Sequence, residues 1–188
     1  MRILGLAAMV LAVGVAGAQV KDYKFDPAHS EADFTVTHLS ISKVHGTFRG
    51  VSGLLKFDPA DLSKSSVEAS IDVATVDTGI AARDTHIKSD AFFDVAKFPT
   101  MTFKSTSVVK AGDHYDVKGN LTMHGVTKPV VLKLEEPSKE QMGMDKKPHR
   151  GFTATTVVNR KDFGVSYGPD SVVSDEVKIE IDIDAVQQ

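Results

Sequence analysis

Val177-Lys178-Ile179-Glu180-Ile181-Asp182-Ile183-Asp184, near the end of the chain, alternates strictly between apolar and charged residues. Successive side chains of a β-strand point to opposite faces, so this pattern predicts a strand with one apolar face and one charged face. Such a strand is typical of an antiparallel sheet that covers a core on one side and meets water on the other.

The same period of two recurs along most of the chain. Ala32, Phe34, Val36 and His38 share one face of a second predicted strand, and turn signals such as Asp58-Pro59 separate the runs. Further strands are expected near Val44–Phe48, Val51–Phe57, Val67–Val73, Met101–Val109, Tyr115–Met123, Val130–Leu134 and Phe152–Val158. Many short strands predict an all-β domain, and these patterns alone leave a sandwich and a barrel both open.

Three segments depart from the strand rhythm. The apolar parity changes around Gly50, which predicts a β-bulge there. Ala60–Ser63 and Ile80–Phe93 have helical spacing and predict two short helices. Glu136–Gly151 is rich in proline and glycine and is expected to be a long hairpin loop, because strand patterning resumes at Phe152.

The N-terminus has the pattern of an export signal. Arg2 precedes an apolar run from Ile3 to Val15, and Ala16-Gly17-Ala18 supplies the small residues that signal peptidase reads. We therefore predict a signal peptide over residues 1–18, a mature domain over residues 19–188, and a periplasmic location. A membrane anchor is the alternative, but the run is shorter than the roughly 20 residues that a spanning helix needs, so we expect no membrane span after processing.

Net charge and cysteine content limit the kinds of partner and covalent modification that the chain can have. The net charge is −3 and charges of both signs are mixed, so no basic stripe is present to follow nucleic acid. Lys146–Arg150 is locally basic and is expected to be a solvated loop. The chain has no cysteine, which excludes disulfides and a lipid-modified cysteine.

The sequence carries no recognisable catalytic signature. Asp84, His86 and Ser89 lie too close along the chain to align as a hydrolytic triad, and no G-x-S-x-G elbow occurs. The seven histidines form neither an H-x-H nor an H-E-x-x-H pair, so a zinc site would have to be assembled across strands. We predict a non-enzyme with no catalytic residues, no metal and no cofactor.

Four short motifs occur in a fixed order along the chain: Asp26-Pro27-Ala28-His29-Ser30; Arg83-Asp84-Thr85-His86-Ile87-Lys88-Ser89 with Phe92-Phe93-Asp94; Gly119 and Leu121-Thr122-Met123-His124-Gly125-Val126-Thr127-Lys128-Pro129; and Arg160-Lys161-Asp162-Phe163-Gly164. This series resembles the YceI-like family of lipocalin-like proteins, described as carriers of polyisoprenoid lipids. Met123 departs from the family pattern, where isoleucine or valine is more usual. The resemblance implies an extended eight-stranded antiparallel barrel with one or two short helices, and eight strands can enclose one small ligand.

Several aromatic residues flank these motifs, and each of them suits either a packed core or the wall of an apolar tunnel. Arg83, His86, His38 and Arg160 are the candidates for binding a polar head group. For Arg83 the alternative is a structural role, in which it pairs with Asp84 or fixes a loop to the sheet. The full set of predicted ligand-binding residues is Phe34, Val36, His38, Phe48, Arg83, His86, Phe92, Phe93, Phe103, Arg160 and Phe163.

The resemblance implies noncatalytic binding of a long-chain apolar lipid of the polyisoprenoid or isoprenoid-quinone type. Transport, storage or sequestration of that lipid is the expected role. Binding of fatty acids or fatty-acid amides, an enzyme acting on such lipids, and an interaction or stress-response module remain alternatives. Barrels with an open groove often pair, so a homodimer is a further expectation.

Overall fold

The computed structural model describes residues 20–188, and the predicted signal peptide lies outside these residues. Within them, no helix is both long and apolar enough to cross a membrane. The part described contains one α-helix, α1, at Ala81–Lys88. Its strands are β1 Lys21–Phe25, β2 Glu31–His38, β3 Ser42–Phe48, β4 Val51–Phe57, β5 Ser66–Asp72, β6 Val76–Asp77, β7 Thr100–Ala111, β8 His114–Met123, β9 Val126–Leu134, β10 Gln141–Met142, β11 Pro148–Asn159 and β12 Glu176–Gln187.

The sheet closes on itself into an antiparallel barrel. Around the wall the order is β11, β9, β8, β7, β5, β4, β1 and β12, and β12 closes the ring by pairing with β11 along its whole length. β2, β3 and β6 continue the wall beyond β1, β4 and β5. The prediction of an eight-stranded antiparallel barrel is therefore confirmed for residues 20–188.

Three neighbouring wall positions each consist of two strands in line. β1 and β2 pair with successive parts of β12, and the chain loops out between them over Asp26–Ser30. β4 and β3 are likewise separated by Arg49 and Gly50, and β5 and β6 by a 3-10 turn at Val73–Thr75. Gly50 thus marks a break between strands and not a bulge within one. A register shift is found instead further along the chain, in β7, between Ser105 and Ser107.

Strand alternation sends apolar side chains into the barrel. The predicted inward set of the last strand, Val177, Ile179, Ile181 and Ile183, faces the interior. Two glycines make room for inward rings on the neighbouring strand: a Cβ at Gly46 would overlap the ring of Phe34, and one at Gly119 would overlap that of Phe103. Only glycine lets a ring lie flat against the adjacent backbone at these positions.

Connections at one end of the barrel gather around α1, and we call this the α1 end. It carries the β2–β3 turn, the turn between β8 and β9, and the connection from β11 to β12; the backbone N–H of Leu39 donates to Val172 O at 3.0 Å. α1 is shorter than the predicted Ile80–Phe93. The opposite end carries a 3-10 turn at Leu62–Lys64, and we call it the 3-10 end.

The segment between β9 and β11 forms the expected hairpin, with β10 pairing to the start of β11. Residues 148–150 of the predicted solvated loop belong to β11 instead. There the guanidinium of Arg150 lies 4.9 Å from the ring centre of Phe57, so its charge is placed over an aromatic face.

Candidate functional site

A cavity of about 480 Å³ occupies the barrel interior. It extends from Leu62 and Ser65 at the 3-10 end to Arg83 and His86 of α1 at the other. A volume of this size is within the range of small-molecule sites, roughly 300–1,000 Å³. Its middle section is lined by aliphatic and aromatic side chains: Phe25, Ala32, Phe34, Val36, Phe48, Val51, Leu55, Phe57, Val67, Ala69, Ile71, Met101, Phe103, Val117, Leu121, Met123, Val130, Leu132, Phe152, Ala154, Val158, Ile179, Ile181 and Ile183.

Most of the residues predicted to form a tunnel wall line this cavity. The ring centres of Phe34 and Phe48 lie 5.5 Å apart, and Phe93 meets Phe48 edge-on at 6.0 Å. Val36 and Phe103 also line the cavity. Through these contacts the segment that follows α1 packs against the barrel wall. The same aromatic rings also border the cavity.

Phe163 is placed differently from the other predicted wall residues. Its side chain is 2% exposed and packs in the cluster that contains Val73, Val76 and Val158. It is not among the residues that line the cavity. Phe163 is therefore a residue of the packed core and not of the tunnel wall, the two positions that the sequence left open for each aromatic residue.

Polar and aromatic groups meet at the α1 end of the cavity. The imidazole of His86 lies edge-on to Phe92, with ring centres 5.1 Å apart, and to Tyr167, at 4.7 Å. Arg83 and His38 line the same end. Tyr167 follows the last of the four motifs and was not predicted, because nothing in its local sequence shows that the β11–β12 connection returns to α1.

Arg83 is held by the loop that precedes α1. Its Nε donates to Thr78 Oγ1 and its Nη2 to Thr78 O, each at 2.7 Å, while Asp84 accepts hydrogen bonds from the backbone and hydroxyl of the same threonine. The two charged residues thus tie the loop before α1 to the helix through Thr78, and these hydrogen bonds join them neither to each other nor to the sheet. Arg83 Nη1 makes no hydrogen bond to the described residues, so it remains available beside the cavity.

Arg160 has no such freedom, although it lines the cavity. It is 4% exposed, and its Nε and both Nη atoms donate to five backbone carbonyls and to Asp175 Oδ1. Those carbonyls belong to Val165, Tyr167, Gly168, Val173 and Ser174. A guanidinium has five N–H donors, so every donor is used and the expectation that Arg160 binds a head group is corrected. Its role is to shape the β11–β12 connection.

A second recess, of about 320 Å³, lies on the outside of the barrel. His29, His149 and Asp184 line it. A hydrogen bond donated to the Asp26 carboxylate raises the pKa of His29, and one donated to the Asp184 carboxylate raises the pKa of His149. Both imidazoles are paired with carboxylates, which favours their protonated forms.

Comparison with known proteins matches residues 23–185 to the YceI-like domain. The chain belongs to the YceI-like family. It is 39% identical over 194 aligned positions to "Protein YceI" of Salmonella newport, with 99% of this chain and 97% of the relative covered. The family resemblance drawn from the four motifs is thereby confirmed.

Solved structures agree with the YceI-like assignment. BcnA of Burkholderia cenocepacia is similar with a TM-score of 0.77 and 27% identity, covering 85% of this chain and 98% of that protein. YCEI of Campylobacter jejuni matches with a TM-score of 0.71 and 27% identity over 98% and 99% of the two chains. A polyisoprenoid-binding domain from Saccharophagus degradans shares the fold, with a TM-score of 0.68 and 16% identity over 90% of this chain and 100% of that domain.

Proposed function

We propose that this YceI-like protein binds one long-chain apolar lipid in its barrel, without catalysis, and carries, stores or sequesters it. The observation that supports the proposal is the cavity itself: an apolar interior with Arg83, His38 and His86 at the α1 end. The Saccharophagus domain of the same fold is described as polyisoprenoid-binding, which agrees with a ligand of the isoprenoid type.

In this proposal the tail lies between the strands and the head group lies beside α1. Each buried CH₂ group contributes about 0.8 kcal/mol. Affinity should therefore rise about fourfold per added methylene until the cavity is filled. The free Nη1 of Arg83 and the ring of His86 are the groups we assign to the head.

Noncatalytic binding is supported by where the reactive side chains lie. Ser65 and Ser66 face the cavity at the 3-10 end, whereas His38 and His86 face it at the α1 end. The two cavity-lining serines of the described chain are thus at the end opposite the imidazoles, and a serine nucleophile needs a base within hydrogen-bond reach. We also propose a periplasmic location for the carrier, which is supported by the export-signal pattern of the N-terminus.

A binding assay with wall variants tests the proposal. Phe34→Glu and Phe103→Glu should each abolish binding of a fluorescent polyprenol and of a long-chain fatty acid, because a carboxylate facing an apolar tail has no partner. Ala69→Phe adds a ring to the wall without a charge and should shorten the longest chain that binds. Fluorescence titration over a series of chain lengths gives both results.

Leu54→Glu is the matched control, because Leu54 is 61% exposed on the outer face of β4. It introduces the same charge and should leave binding unchanged. Circular dichroism and melting curves establish that each variant is folded. Folded Phe34→Glu and Phe103→Glu proteins that bind lipid as the wild type does would contradict the proposal.

A further inference from the structure

The break between β1 and β2 brings together residues from opposite ends of the chain. Asp26–Ser30 loops out of the wall next to β12, and the backbone N–H of Asp26 donates to Asp184 O at 2.8 Å. The hydroxyl of Ser30, which is 4% exposed, accepts a hydrogen bond from the backbone N–H of Asp184 at 3.2 Å. The loop is therefore anchored on both sides of Asp184.

Three side chains at this break present atoms that can bind a metal. Nδ1 of His29 lies 2.8 Å from Oδ2 of Asp26. One ligand atom each from Asp26, His29 and Asp184 all lie within 4.8 Å of one another. Imidazole nitrogen and carboxylate oxygen are the donors that zinc and similar divalent ions accept, and the two carboxylates would balance the charge of the ion.

Hydrogen bonds from neighbouring groups orient these carboxylates. Nδ1 of His149 lies 2.8 and 3.0 Å from the two carboxylate oxygens of Asp184, and Nε2 of the same ring lies 3.1 Å from Asp145. Asp26 Oδ1 accepts the backbone N–H of Ala28 at 2.9 Å. Partners of this kind fix the direction of metal ligands in known sites.

A second histidine of this protein shows how specific the arrangement is. His114 also lies next to two carboxylates, those of Asp113 at 3.0 Å and Asp116 at 3.3 Å. They lie at opposite ring nitrogens, so they cannot converge on an ion bound to either nitrogen. Both histidines therefore lie close to two acidic groups. Of the two, only His29 has carboxylates that could bind the same metal ion.

We propose that Asp26, His29 and Asp184 form a binding site for a divalent transition-metal ion of the zinc type on the outer wall of the barrel. Water from the adjoining recess completes the coordination shell. The ion would link the β1–β2 break to β12 and thereby stabilise the wall at its longest interruption. The site lies outside the lipid cavity, so it does not depend on the proposed function, and it departs from the absence of a metal that histidine spacing predicts.

Zinc titration of the chelator-treated protein, residues 19–188, tests the site. Isothermal titration calorimetry should show one zinc ion per chain, and the visible ligand-field bands of cobalt should change from those of the aqueous ion when it binds. Loss of one direct ligand should weaken binding at least as much as loss of a supporting group, which costs roughly 10- to 100-fold. We therefore expect His29→Gln and Asp184→Asn to weaken zinc by about 100-fold, whereas His114→Gln should retain wild-type affinity.

The His29 side chain is 71% exposed, so its replacement should leave the fold intact and melting curves without metal should coincide with the wild type. Wild-type protein that binds no zinc at about 100 µM would overturn the proposal. Equal weakening by His29→Gln and His114→Gln, with an unchanged cobalt spectrum, would also overturn it.

Discussion

The two arginines that line the cavity show how residues of one type differ once their donors are counted. Arg160 is buried with all its N–H groups used by backbone carbonyls and Asp175, whereas Arg83 is half-buried and uses two of its nitrogens on Thr78. A buried carbonyl that loses its donor has no water to replace it. Arg160 therefore stabilises the β11–β12 connection, and Arg83 is the arginine assigned to the ligand.

Replacing each arginine by methionine should separate these roles. Arg160→Met leaves five backbone carbonyls and Asp175 without the donor they share and should destabilise the fold by roughly 3–5 kcal/mol. Arg83→Met should cost little stability and should weaken binding of a polyprenyl phosphate by at least about tenfold, while an uncharged polyprenol binds as before. Differential scanning calorimetry and fluorescence titration give the two measurements.

The two variants serve as controls for each other. If Arg83→Met lost as much stability as Arg160→Met and kept its preference for the charged head, the assignment of Arg83 would be wrong. Sequence alone gave these arginines the same candidate role. The carbonyls that bind Arg160 belong to an irregular connection, and no periodic pattern indicates where such a connection folds back.

The strands differ in how firmly they are held, and the pairing of β9 with β11 is the shortest in the closed ring. Within residues 20–188 their register covers Ala154 with Leu134 and Thr155 with Lys133. Beyond these pairs, Thr156 Oγ1 donates to Val131 O at 2.9 Å. We call this short β9–β11 pairing the seam. Val131 and Val157 lie beside it and are 42% and 53% exposed.

Amide hydrogen exchange should be fastest along this seam. A region with few hydrogen bonds opens locally at a low cost in free energy. Backbone amides of Val131 and Val157 that point into the seam should therefore exchange orders of magnitude faster than the amides that join β7 to β8. The β7–β8 ladder runs from Thr102 with Thr122 to Ala111 with His114 and is the internal control. Equal protection of the two pairs, measured by NMR, would contradict a weak seam.

Strand existence could be predicted from the sequence, but strand continuity could not. Alternation in β2 and β12 predicted which side chains enter the barrel, since burial of one face imposes the period. The short β1 was not predicted, and Gly50 was interpreted as a bulge. Both errors lie at breaks where two strands in line share one wall position, and a break and a bulge change the parity of apolar residues in the same way.

For the whole molecule, the family resemblance predicted the closed barrel that alternation left undecided, and the structure confirms it. The cluster of Asp26, His29 and Asp184 could not be predicted, because closure of β12 against the β1–β2 break brings distant residues together. The residue pattern by itself did not distinguish an interior with a cavity from a fully packed one. An inward phenylalanine has the same pattern whether it packs against other residues or faces a ligand.

The proposed function requires that the apolar interior holds a single long-chain lipid. Native mass spectrometry of the protein, purified without added lipid or detergent, tests it most directly, followed by mass analysis of the organic extract. We expect one long-chain isoprenoid or acyl molecule per chain in the wild type and none in folded Phe34→Glu protein, because the cavity excludes a tail beside an unpaired charge. A wild-type protein that carries no lipid as purified and takes up no polyprenol or fatty acid when these are offered would show that the barrel does not bind such a lipid.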